Sequence, residues 1–147
     1  MSMLSRARPP ADAAVIEGEV PFHDVDPLHI VWHGHYYKYL EVARTALFRR
    51  HRIDGPDLLE LGYRFVIAHA ECRYVSALRY GDRYRVSAWF LDTEQRVHVA
   101  YEVWNVTENR RSARARTALV TTDARGELLL VTPAVIRERI HEPLGAS

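Results

Sequence analysis

Two aspartates, four histidines and a glycine fall within His23–His35 (HDVDPLHIVWHGH). A carboxylate supplies a general base or an oxygen nucleophile, and an imidazole exchanges protons near neutral pH. Glycine lets the main chain approach a ligand closely. Of the two acids, Asp26 is the candidate catalyst and Asp24 a hydrogen-bonding residue that shapes the loop. On local sequence alone, Asp26-Pro27 serves equally well to start a turn. The histidines and aspartates together also have the residue types of a zinc or iron site. Their spacing matches no established ligand pattern, so no metal and no other cofactor is expected.

These residues need elements to position them. Val15–Phe22 (VIEGEVPF) alternates apolar and polar positions and predicts a strand with one buried face. Pro27 and Gly34 interrupt any regular element between His23 and His35, which predicts a structured loop. Tyr36–Arg50 (YYKYLEVARTALFRR) then sets Tyr36, Tyr39, Leu40, Ala43, Leu47 and Phe48 on one stripe at helical spacing. A helix beginning there aims unpaired N–H groups and a partial positive charge back at the loop, where a developing oxyanion can rest. Gly55-Pro56 is expected to stop the helix, leaving Asp57–Gly62 as a connector or short helical turn.

Strands follow at Tyr63–Val75, Arg83–Leu91, Arg96–Val106 and Ala113–Thr122, divided by turn signals at Gly81-Asp82, Asp92–Gln95 and Glu108–Arg111. Leu128–Val131 extends the sheet, and Pro133 opens a last helix through Ile140. Simple alternation in the first of these strands places Phe65, Ile67, His69, Glu71 and Arg73 on one face. One long helix with a meander of strands predicts an α+β fold. Its open sheet edges invite a second copy of the chain.

Composition narrows the function classes. The chain has 147 residues, 48% of them hydrophobic, which suits one domain: a flexible N-terminal tail, 1–13, ahead of a single domain, 14–147. A formal charge of +1 creates no field for nucleic acid or for a membrane surface. Cys72 is the sole cysteine and cannot pair internally. With no long apolar run and no secretory leader, a cytoplasmic location is expected.

The run Phe22–Arg44 resembles the signature of the 4-hydroxybenzoyl-CoA thioesterase family. Asp24, Asp26, Ile30, Val31, Tyr36, Glu41, Ala43 and Arg44 match its order and spacing. The Tyr-x-x-x-Leu-Arg-Tyr-Gly-Asp segment at Tyr74–Asp82 extends the likeness. The resemblance implies the hotdog fold, a curved antiparallel sheet wrapped around one long central helix, in a homodimer or homotetramer. It implies hydrolysis of an acyl-CoA or acyl-carrier-protein thioester, with Asp26 as nucleophile or base and the amide at His33, beside Gly34, as oxyanion donor. The alternatives are a hotdog-fold dehydratase or a noncatalytic acyl-thioester-binding module. His29 departs from the pattern, where relatives usually carry glycine, and is a candidate substrate contact together with Tyr36. His69 and Glu71 are candidates for a site completed across a dimer interface. Arg114 and Arg116, in a basic cluster with Arg110 and Arg111, are candidate clamps for the phosphates of coenzyme A.

Overall fold

The computed structural model describes residues 8–144. Part of the expected leader, residues 1–7, therefore lies outside the described residues. Ala13, at its end, is buried with Trp89 and Ala100.

Five strands form one antiparallel sheet in the order β1-β3-β4-β5-β2. They are β1 (Ala14–Glu19), β2 (Tyr63–Tyr74), β3 (Arg83–Phe90), β4 (Val97–Asn105) and β5 (Arg110–Asp123). The helix α1 spans Tyr36–Arg50, and the whole expected stripe from Tyr36 to Phe48 is buried. That stripe meets Val86, Val97, Val99, Tyr101 and Val103 from the inner face of the sheet in a single core. Buried apolar side chains of this size stabilise by roughly 1.5–3 kcal/mol each relative to exposure.

The structure changes several boundaries. β1 is shorter than expected because Pro21 leads into a 3-10 turn at Phe22–Asp24. The chain leaves α1 before Gly55-Pro56, through Arg52, whose φ of +58° is left-handed. Gly55 and Pro56 instead open a short helix, α2 (Gly55–Leu61), where Asp54 and Asp57 form a capping box. β5 starts three residues early, because Asn109, at φ +52°, tightens the turn after β4. Leu128–Val131 contributes only an isolated bridge, Thr122 to Leu128, and α3 (Ala134–His141) closes the chain.

One correction alters the face assignment of β2. Its register with β5 shifts between Ile67 and His69, a β-bulge that reverses the alternation. Before the bulge, Phe65 packs inward on Phe48; after it, Cys72 and Tyr74 point inward instead. His69, Glu71 and Arg73 thus share the outer face, not the face of Phe65.

Candidate active site

Asp24 fixes the loop to the helix. Its side chain is buried; Oδ1 accepts from Lys38 Nζ at 2.6 Å and Oδ2 from the Tyr39 hydroxyl at 2.6 Å. Burial alone raises the carboxyl pKa. The hydrogen bonds from Lys38 and Tyr39, with the charges of Lys38 and His35, outweigh it and hold the group below the usual carboxylate value. Burial and the Asp24 anion in turn push the Tyr39 hydroxyl far up, so it remains a donor. The Asp24 carbonyl also accepts the Trp32 amide at 3.1 Å. Every polar group of Asp24 is committed to shape.

Asp26 is placed differently. One carboxylate oxygen accepts the Leu28 amide at 2.8 Å, and the Asp26 main chain bonds to Ile30 O and His29 N, each at 2.9 Å. Among the described residues no cation pairs with it. The turn forces His29 to φ +67°. Left-handed backbone favours glycine, which is the physical reason for glycine at this point in the family pattern. The His29 side chain itself is exposed and outside the cleft described next.

Asp26 borders a cleft of about 310 Å³ together with Leu28, Ile30, His33, Tyr36 and Tyr74. Of the residues expected at the site, the cleft brings together Asp26, His33 and Tyr36. His33–His35 forms a 3-10 turn that runs directly into α1, with the His35 amide on Trp32 O and the Tyr36 amide on His33 O. The amides of His33 and Gly34 precede these first bonded amides, and N–H groups at a helix start point back along the axis toward the incoming loop. Gly34 owes its identity to a neighbour: a Cβ there would stand 2.3 Å from the Trp32 ring. The six-membered ring of the indole occupies the space where any side chain would sit.

Tyr74 and Ser76, which the sequence did not mark as site residues, line the cleft, and Ser112 ties Ser76 to Tyr36. Ser112 Oγ donates to Ser76 O at 2.7 Å, so the Tyr36 hydroxyl, 3.0 Å away, is the donor to Ser112. Tyr74 donates its hydroxyl to the His33 carbonyl at 2.8 Å. The usable signal was that Tyr74 and Ser76 sit where β2 ends, beside the start of α1.

The other four expected residues lie elsewhere. Glu71 faces Arg116 across the β2–β5 ladder, and Arg73 faces Arg114. Arg116 Nη2 is 2.9 Å from His98 Nδ1, and His69 Nε2 lies 3.7 Å from Glu71. Arg111 grips the buried Glu102 through Nε and Nη2, both at 3.0 Å. All of these belong to the outer face, across the sheet from α1, so within one chain His69, Glu71, Arg114 and Arg116 do not reach the Asp26 cleft. A larger cleft of about 410 Å³ lies between α1, α2 and β2, but its charged lining residues are engaged: Glu41 pairs with Arg44 at 4.0 Å, Asp54 with Arg49 at 3.0 Å, and Arg64 donates to Ala124 O at 3.0 Å. Among the described residues no group of three or more His, Cys, Asp or Glu is placed to hold a metal ion, and no helix is long and apolar enough to cross a membrane.

Residues 20–140 match the model of the thioesterase-like superfamily. The Synechocystis protein sll0410, an esterase by provisional name, is 26% identical over 120 residues, 80% of this chain and 72% of its own. A thioesterase from Thermus thermophilus, solved with coenzyme A and zinc, is 27% identical with a TM-score of 0.71, covering 86% of this chain and 90% of that one. A 1,4-dihydroxy-2-naphthoyl-CoA thioesterase from Synechocystis superposes at TM-score 0.73 and 17% identity, over 87% and 95% of the two chains. The sheet wrapped on α1 is thus the hotdog fold.

Proposed function

The chain belongs to the thioesterase-like superfamily, a family of thioester hydrolases, and from that premise we propose that it hydrolyses acyl-CoA thioesters with Asp26 as the catalytic carboxylate. The observation that carries the assignment is the Asp26 carboxylate, unpaired by any described cation, sharing one cleft with the first turn leading into α1.

The chemistry follows from that placement. The thioester carbonyl oxygen rests against the amides of His33, which lines the cleft, and of Gly34, which follows it in the turn into α1, and the apolar acyl group lies along Leu28, Ile30 and Tyr36. As general base, Asp26 takes a proton from water while the oxygen adds to the carbonyl carbon. The tetrahedral oxyanion then collapses, the C–S bond breaks, and the proton goes to the departing thiolate, giving acid and thiol. As nucleophile, Asp26 adds directly and expels the thiolate, and water cleaves the resulting anhydride. Negative charge grows on the same oxygen in both routes, so the same helix-start donors serve each.

A second copy of the chain is part of this reading. β2 is an edge strand with exposed Val66, Ile67 and Tyr74, an arrangement that invites pairing with another β2. A homodimer would join two β2 edges, and a homotetramer would in addition give the outer face with His69 and Glu71 a neighbouring copy to meet; light scattering on the purified protein tests the oligomeric state.

The direct test is thiol release from acyl-CoA and acyl-carrier-protein substrates, read with a colour reagent. Release by the wild type and its loss in Asp26→Asn support the assignment. Binding without release would make the chain a carrier-binding module, and hydration of an enoyl thioester without release would make it a dehydratase.

A further inference from the structure

The contact between Tyr74 and the His33 carbonyl bears on the proposed reaction although Tyr74 is far from Asp26 in sequence. A trans peptide is planar, so the carbonyl of His33 and the N–H of Gly34 are two ends of one rigid unit pointing in opposite directions. No cis peptide occurs among the described residues. Whatever holds the His33 oxygen therefore aims the Gly34 amide. Two donors hold it: the Tyr36 amide from within the turn, and the Tyr74 hydroxyl at 2.8 Å from the end of β2.

The tyrosine is itself located from several sides. Its ring meets Tyr36 edge-on at 5.0 Å and His33 at 6.0 Å. The bulge in β2 is what turns it inward, since strict alternation from Phe65 would put Tyr74 on the outer face. The Trp32 indole fills the space where a Gly34 side chain would stand.

We propose that Tyr74 is a positioning residue for the oxyanion-binding turn, acting through its hydroxyl on the His33 carbonyl to orient and polarise the His33–Gly34 peptide. A carbonyl that accepts a strong hydrogen bond makes the N–H of the same peptide a better donor, because the amide group polarises as a whole. The effect matters most when the ligand oxygen carries full negative charge, in the tetrahedral intermediate, and least for the uncharged thioester. Burial, with the Cys72 thiol beside it, raises the Tyr74 pKa well above the ordinary value, so the hydroxyl keeps its proton throughout the working pH range.

This inference rests on the thioesterase reading above, and its test separates the two. Tyr74→Phe keeps the ring and both aromatic contacts but removes the donor. With an acyl-CoA that the wild type hydrolyses, we expect kcat to fall about tenfold with KM nearly unchanged. A second measurement uses two unreactive acyl-CoA analogues, a fluoroketone in which a difluoromethylene replaces sulfur and whose carbonyl adds water to mimic the tetrahedral intermediate, and a thioether without the carbonyl. Tyr74→Phe should weaken the fluoroketone analogue and leave the thioether unaffected. Unchanged kcat in Tyr74→Phe, or equal loss of both analogues, overturns the positioning role. Failure of the wild type to release thiol from any acyl thioester overturns the functional reading itself.

Discussion

Asp26 and Glu102 are both carboxylates that accept hydrogen bonds near 3 Å, yet they stand on opposite faces of the molecule and in opposite conditions. Glu102 is buried and gripped by both nitrogens of the Arg111 fork, and on the same face Arg116 lies 2.9 Å from His98 and His69 lies 3.7 Å from Glu71. Asp26 has one main-chain donor and a cleft in front of it. The outer face is rich in ionisable residues, several of which contact one another, although Glu71 Oε1 is buried without a hydrogen-bond partner among the described residues. The loop leaves one carboxylate without a cation partner among those residues, bordering a cleft beside the turn that leads into α1. Chemical potential lies in a carboxylate that borders a cleft without a paired cation, not in the density of charged residues.

The strongest way to break this contrast is Asp26→Asn. Turnover should fall on the order of 10³-fold with the denaturation midpoint unchanged. Near-normal hydrolysis in that variant would move the chemistry elsewhere, the outer face included.

Next in size is Asp24→Asn, which strips the buried partner of Lys38 and Tyr39 and should cost about 2–3 kcal/mol in urea denaturation at pH 7. The Asp24 pKa is depressed in the fold. Its contribution is therefore present above the unfolded carboxylate value of roughly 4 and is lost as pH falls through the folded value. The stability curves of variant and wild type should converge in acid; a gap independent of pH would mean that the charge of Asp24 is not what holds the loop.

Gly34→Ala sharpens the comparison from within the loop. The added methyl displaces the Trp32 ring, so tryptophan fluorescence should shift and kcat should fall roughly tenfold through misplaced amides. An unmoved indole with full activity would show that the turn yields elsewhere.

The smallest effect belongs to the outer face. The His98 pKa is lowered by burial first and then by the Arg116 charge. In Arg116→Ala an NMR titration should find it part of the way back toward its ordinary value, with kcat and KM within about twofold of wild type. His98 with a depressed pKa favours the fold above the unfolded histidine value and loses that contribution as pH falls, so the variant should lose less stability toward acid than wild type does. A large rise in KM for acyl-CoA would instead place phosphate recognition on this face and collapse the contrast.

By itself the sequence determined the α+β class, the long helix with its buried stripe, the four strands after it and the loop that carries the uncommitted acid. Each of these is local: periodicity, turn residues and a motif contained in one short run. The β-bulge at Ala68 was invisible, because a bulge is a mismatch between two strands and neither strand records it alone. The single skipped residue carried His69 and Glu71 to the outer face and turned Tyr74 toward His33. Likewise the reason for Gly34 is a ring two residues away, and the left-handed His29 follows from a hydrogen-bonded turn. Tertiary structure alone decided which polar residues share a face and which carbonyl a tyrosine can reach, since those depend on the pairing of segments far apart in the chain.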